Sequence, residues 1–260
     1  MCGICGFAGF YDNELLRKMT ASIIHRGPDG EGIYEKRPVM AMGMRRLAII
    51  DLKTGDQPIY NEDKSIAVVF NGEIYNFVEL RDQLIAKGHS FCTKTDTEVI
   101  VHLYEEYGED CAKHMRGMFA FSIWDDRKRK LIISRDQLGI KPLFYSFSGG
   151  KLLFGSEIKC ILQHSGASRS LNYKALDYYF TFMYIPAPYC IFDGINKLPL
   201  LPCLHGFGGP HGGILNGIEG QHSGDELSRP QQAVAIVESG LQPYGAGGAV
   251  HGVVDHRQGA

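Results

Sequence analysis

The change of character near Leu200 constrains the fold of this 260-residue chain more than any other feature. After Lys197 there is no further lysine, Phe207 and Tyr244 are the only aromatics, and glycine, histidine and proline crowd the remainder without a period. Such a stretch buries too little apolar surface to offset the conformational entropy lost on ordering. Any core must therefore be built within about the first 199 residues. Residues 200–260 are expected to be a disordered Gly/His/Pro-rich tail, natural or translated out of frame, and the apolar run 233–237 is too short to restore a core.

Composition narrows the functional classes. With 44% hydrophobic and 22% charged residues the chain is globular, and a net charge of −2 offers no general attraction to nucleic acid or anionic membrane. Neither is expected as a partner. No apolar run reaches the roughly 18 residues of a spanning helix, and the start lacks the basic and apolar regions of a secretory signal. A cytoplasmic location is the expectation. Seven cysteines, odd in number and irregularly spaced, do not form a disulfide framework. Cys2 and Cys5 make a formal CxxC, but no second pair completes a zinc site, and a strand at 2–10 would point the two thiols to opposite faces. Cys5 reads as a small buried hydrophobe.

Cys2 directly follows Met1. Once Met1 is removed, thiol and α-amino group share one residue. An α-amine titrating near roughly 7.7–8.0 can act as base for a thiol of pKa roughly 8.5. That is the logic of an N-terminal nucleophile; an ordinary Met-Cys start is the plain alternative.

Gly-punctuated residues 2–10 form a first strand, and Leu15, Leu16, Met19 and Ile23 have helical spacing before the loop His25-Arg26-Gly27-Pro28-Asp29-Gly30. His25 and Asp29 are either acid–base partners or, more simply, stitches to the backbone. A strand at 39–43 leads to Arg45 and Arg46, suited to gripping a carboxylate or to structural pairing. The buried run 66–70 ends at Asn71-Gly72-Glu73. An Asn amide beside a glycine N–H supplies the two donors of an oxyanion hole, or else a common Asn-Gly turn. Asn76 with Glu79 caps a helix at 77–86, and Thr95-Asp96-Thr97-Glu98 is a second capping box. Asp96 is then a cap or an ammonium receptor. Hairpins follow at 118–134 and 141–154; Ser148-Gly149-Gly150 joins two strands and so is no phosphate loop. Helices are expected at 157–163 and 172–182, and 183–199 as a linker leaving the domain.

Met1-Cys2-Gly3-Ile4, the 25–30 loop, Arg46-Leu47-Ala48-Ile49-Ile50-Asp51-Leu52, Asn71 to Asn76, Thr95 to Ile100, Gly117 to Phe121 and Arg135 to Leu143 occur in that order. Through them the chain resembles the class II glutamine amidotransferase domain of glutamine-hydrolysing asparagine synthetases, from residue 1 to about 199. The resemblance implies an α+β, four-layer αββα N-terminal-nucleophile hydrolase fold, with two mostly antiparallel sheets between helical layers and the domain at 1–182. It also implies hydrolysis of L-glutamine to glutamate and ammonia. Cys2 would attack, Asn71 and Gly72 hold the oxyanion, Arg46 take the α-carboxylate, and Asp96 with Glu73 and the backbone of Ile49 and Ile50 take the ammonium. No metal or cofactor is expected for this half-reaction. ATP and Mg²⁺ belong to the synthetase domain that amidates aspartate, whose Ser-Gly-Gly-x-Asp-Ser loop does not occur after Pro199. That half is expected to be missing, so the synthetase half-reaction is not expected either. Ammonia would pass to a separate synthetase chain, and a homodimer is the other expected partnership; the alternative is a non-catalytic fragment or glutamine-binding module. Cys5 departs from the usual family pattern.

Overall fold

A computed structural model describes residues 1–49, 51, 54–199 and the backbone of 233–238. The chain opens with β1 (Gly3–Ala8), α1 (Leu15–Ser22), β2 (Gly30–Lys36), β3 (Met40–Arg46), β4 (Ile59–Tyr60) and β5 (Ile66–Ile74). It continues through α2 (Phe77–Ala86), α3 (Glu98–Tyr107), β6 (Gly117–Asp125), β7 (Lys130–Arg135), β8 (Phe144–Ser148) and β9 (Lys151–Gly155). The last elements are α4 (Ile158–Ile161), α5 (Tyr173–Phe182), β10 (Asn196–Lys197) and β11 (Ala233–Glu238).

One sheet runs β10-β8-β9-β1-β3-β2 and the other β11-β7-β6-β5-β4. Every strand pair is antiparallel. Side chains alternate across a strand, and here the alternation sorts three cores. Ile4 and Ala8 of β1, with Met40, Met42 and Met44 of β3, meet Ala67, Val69, Ala120 and Trp124 of the second sheet. The alternate positions Cys5, Phe7 and Ala41 pack outward with Leu16 and Met19 of α1 and Cys160 of α4. On the far side, Val68, Phe70 and Ile74 pack with Leu80, Leu84, Val99 and Leu103 of α2 and α3. Helix, sheet, sheet and helix are stacked as expected. No described helix is long and apolar enough to cross a membrane.

Several local expectations need correction. Asn71 and Gly72 lie inside β5, paired with Ala120 and Phe119, so they form no turn. Gly72 is required by close approach: a Cβ there would lie 2.3 Å from the Met118 carbonyl oxygen. Neither capping box closes. Asn76 bonds the His114 carbonyl and Arg116 N–H, while Glu98 accepts the N–H groups of Cys92 and Thr93, both at 2.6 Å. Residues 183–199 do not leave the domain as a linker. Asn196 and Lys197 pair with β8, and Cys190, Ile195 and Leu198 are buried in the cores, because this apolar stretch covers the open edge of the first sheet. Of the 200–260 tail, Ala233–Glu238 form an edge strand on β7. The expected disorder does not extend to the backbone of these six residues. The rest of that expectation lies outside the described residues.

Candidate active site

Period-two alternation assembles the site. Cys2 shares the inter-sheet side of β1 with Ile4, and the register that pairs Gly3 with Arg45 sets it opposite Arg46. On β3, Arg46 follows Met42 and Met44 inward, while Arg45 turns out to Glu31, at 3.3 Å, and the Thr20 carbonyl. On β5, Asn71 and Glu73 continue the inward series of Ala67 and Val69. Strand ends thus deliver a thiol, a guanidinium, an amide and a carboxylate to the same opening between the sheets.

They line a cavity of about 300 Å³ with Met1, Ile49, Gly72, Thr95, Asp96 and Lys141. Cys2 Sγ accepts the Leu47 N–H at 3.3 Å and lies 3.6 Å from the Leu47 carbonyl. Asn71 is 1% exposed, and its Nδ2 has no hydrogen-bond partner among the described residues. A buried amide donor left open is costly, and this one borders the cavity. Arg46 is buried and held in place: it meets Asp56 at 2.7 Å and donates to the Asp51 carbonyl at 2.6 Å. Asp56 is almost fully exposed, so a ligand carboxylate can replace it without entering the core.

Asp96 does not cap α3. Its carboxylate accepts the Ile74 N–H of β5 at 2.9 Å. Burial pushes its pKa up to about 6; the Ile74 and Thr97 N–H groups pull the other way, and the charge of Glu73 adds to the rise. With Arg46 and Lys141 against Glu73 and Asp96, the cavity presents both signs of charge, the pattern a zwitterionic amino acid needs. Ile49 is at the cavity rim and exposed. Ile50 lies outside the described residues.

The 25–30 loop is structural. His25 and Arg26 share Glu157 Oε1, at 2.8 and 3.1 Å, and Arg26 Nε donates to the Cys2 carbonyl at 2.9 Å. Lys159 adds to this anchor, and against burial the hydrogen bonds from Lys159, Arg26 and His25 hold the Glu157 carboxyl down at about 2. Asp29 accepts the Ala48 N–H and so fixes the segment that touches Cys2. Cys5 packs beside Cys160, away from the cavity; burial raises its pKa.

Sequence reasoning missed Leu47, whose backbone contact carries no side-chain signal, and Lys141. Lys141 is buried, with Nζ 3.1 Å from Met1 Sδ. Asp136 positions it by accepting the N–H groups of Phe119, Leu138, Ile140 and Lys141. A lysine between Ile140 and Pro142, in an otherwise apolar turn, was the available clue.

A family model described as a glutamine amidotransferase domain matches residues 1–204. An asparagine synthetase [glutamine-hydrolyzing] of Bacillus subtilis is 38% identical over 205 residues, covering 75% of this chain and 32% of that protein. A rice protein with the same description is 44% identical over 167 residues, covering 62% and 28%. The chain therefore spans about a third or less of the length of these curated relatives. The solved structure of B. subtilis glutamine phosphoribosylpyrophosphate amidotransferase complexed with ADP and GMP has a TM-score of 0.53 at 24% identity. It covers 62% of this chain and 43% of that one, and shares the fold. On its strand order, its inter-sheet cavity and this match over residues 1–204, the chain belongs to the glutamine amidotransferase domain family.

Proposed function

We propose that the chain is the glutaminase half of an asparagine synthetase-type enzyme, hydrolysing L-glutamine to glutamate and ammonia at Cys2. Convergence of Cys2, Arg46, Asn71, Glu73 and Asp96 on one cavity carries this proposal. Removal of Met1 turns the Cys2 backbone nitrogen into an α-amine beside its own thiol. The amine takes the thiol proton as sulfur attacks the side-chain amide carbon of glutamine. Charge develops on the amide oxygen, where Asn71 Nδ2 and the Gly72 N–H act as donors. The C–N bond breaks, the amine returns the proton to the leaving ammonia, and a thioester remains on Cys2. Water, deprotonated by the same amine, then releases glutamate. Arg46 binds the α-carboxylate in place of Asp56; Asp96, Glu73 and the backbone near Ile49 and Ile50 hold the ammonium.

These steps use no metal or cofactor. The ammonia acceptor is an ATP- and Mg²⁺-dependent, aspartate-amidating synthetase unit on a separate chain. The six described cysteines are all free, which supports a reducing, cytoplasmic setting. Purified chain incubated with glutamine should release ammonia, and Cys2→Ala should not; equal release from both would sink the assignment.

A further inference from the structure

Away from the cavity, four metal-ligating side chains from three segments face one another. Glu62 comes from the β4–β5 turn, His89 from the stretch after α2, and His102 and Glu105 from α3; one ligand atom of each lies within 4.8 Å of the others. His89 Nδ1 is 3.5 Å from Glu62 Oε1 and 3.6 Å from Glu105 Oε2. His102 Nδ1 is 3.6 Å from Glu62 Oε2 and 3.2 Å from Glu105 Oε2. A tetrahedral zinc ion with bonds near 2.0–2.1 Å has ligands about 3.3 Å apart. With one ligand atom per residue the set lies within 4.8 Å, so a cation would draw its widest pair in by up to about 1.5 Å.

The surroundings fit as well. Metal-bound histidines commonly offer the second ring nitrogen to a carboxylate. His89 Nε2 is 3.2 Å from Glu106, and His102 Nε2 is 3.9 Å from Glu98. The ligand carboxylates are themselves oriented: Glu105 accepts from Asn61 Nδ2 at 2.8 Å and Glu62 from the Ser90 N–H at 2.9 Å. His102 is fully buried; its Nε2 faces Glu98 at more than hydrogen-bond distance, which leaves Nδ1 as the atom turned to Glu62 and Glu105.

We propose that Glu62, His89, His102 and Glu105 bind one zinc ion in a closed structural site. Two imidazoles with two carboxylates exclude the all-oxygen preference of Mg²⁺ and Ca²⁺ and suit zinc. Four protein ligands leave no open position for catalysis. The ion ties the β4–β5 turn and the α2–α3 connection to α3, and so steadies the segment carrying Asp96.

The test titrates metal-free full chain with Co²⁺, then Zn²⁺, in a Cys2→Ala background that removes the thiol of the cavity. Co²⁺ in a tetrahedral site shows strong visible ligand-field bands. One equivalent should produce them, Zn²⁺ should displace it, and Glu62→Gln and His89→Ala should each weaken binding at least about tenfold. Circular dichroism verifies that both variants are folded, and the near-isosteric Glu62→Gln guards against loss of structure. Absence of the bands, or unchanged affinity in either folded variant, overturns the proposal and leaves an ion-pair cluster.

Discussion

Replacing Asn71 by alanine should separate activity from stability. In the resting protein its Nδ2 is buried without a hydrogen-bond partner among the described residues, a penalty of about 1–3 kcal/mol. In the transition state the same donor meets the oxyanion, and loss of one such donor typically costs about 10²–10³ in kcat, about 2.7–4 kcal/mol. Truncation enlarges an existing cavity instead of opening a sealed void, so little packing energy is lost. Asn71→Ala should thus lower kcat by two to three orders of magnitude, in the range just cited, with little change in KM. Its melting temperature should hold or rise, by about 2–4 °C for each kcal/mol relieved. Ammonia-release kinetics and a thermal melt on one preparation decide the matter. A folded variant with kcat within about tenfold of wild type, or a melting temperature that falls with activity, would refute the reasoning.

Asp96 has a pKa raised from 3.8 to about 6 by burial, so the native state binds more protons between those values. The resulting loss of stability is absent below pH 3.8 and complete above about pH 6, and reaches about 3 kcal/mol. Asp96→Asn should therefore raise the urea midpoint at pH 7 and raise KM for glutamine, and wild-type KM should climb as pH falls through about 6. Gly72→Ala should lower the urea midpoint by about 1–3 kcal/mol equivalent, because its Cβ would meet backbone at 2.3 and 2.6 Å. Glu157→Gln loosens Arg26 from the Cys2 carbonyl and should cut kcat by up to about 10²-fold with KM unchanged, read by steady-state kinetics.

The inward face of β1 was legible in the sequence. A strand at 2–10 was enough to send Cys2 and Cys5 to opposite faces, whereas Arg46 and Asn71, just beyond the strands at 39–43 and 66–70, were joined to Cys2 only through the ordered motifs of the family resemblance. What local pattern could not settle was tertiary. Asn-Gly has high turn propensity, yet pairing with β6 keeps it in strand. Thr95 to Glu98 spells a capping box, yet β5 offers Asp96 the Ile74 amide and the preceding loop takes Glu98. The prolines and glycine of 183–199 suggested a linker, whereas Cys190, Ile195 and Leu198 find core to fill. The metal cluster left only His102 and Glu105, three apart on a helix, as a sequence trace; Glu62 and His89 join it through the fold.

The α-amine of Cys2 is the central claim, and comparing two forms of the same chain tests it most directly. The form lacking Met1 and the form retaining it can be separated, verified by intact mass, and assayed for ammonia release from glutamine. The processed form should turn over glutamine and, after acid quench, carry a glutamyl thioester on the peptide that begins at Cys2. Equal turnover by the Met1-bearing form, whose Cys2 nitrogen is an amide, would contradict the account.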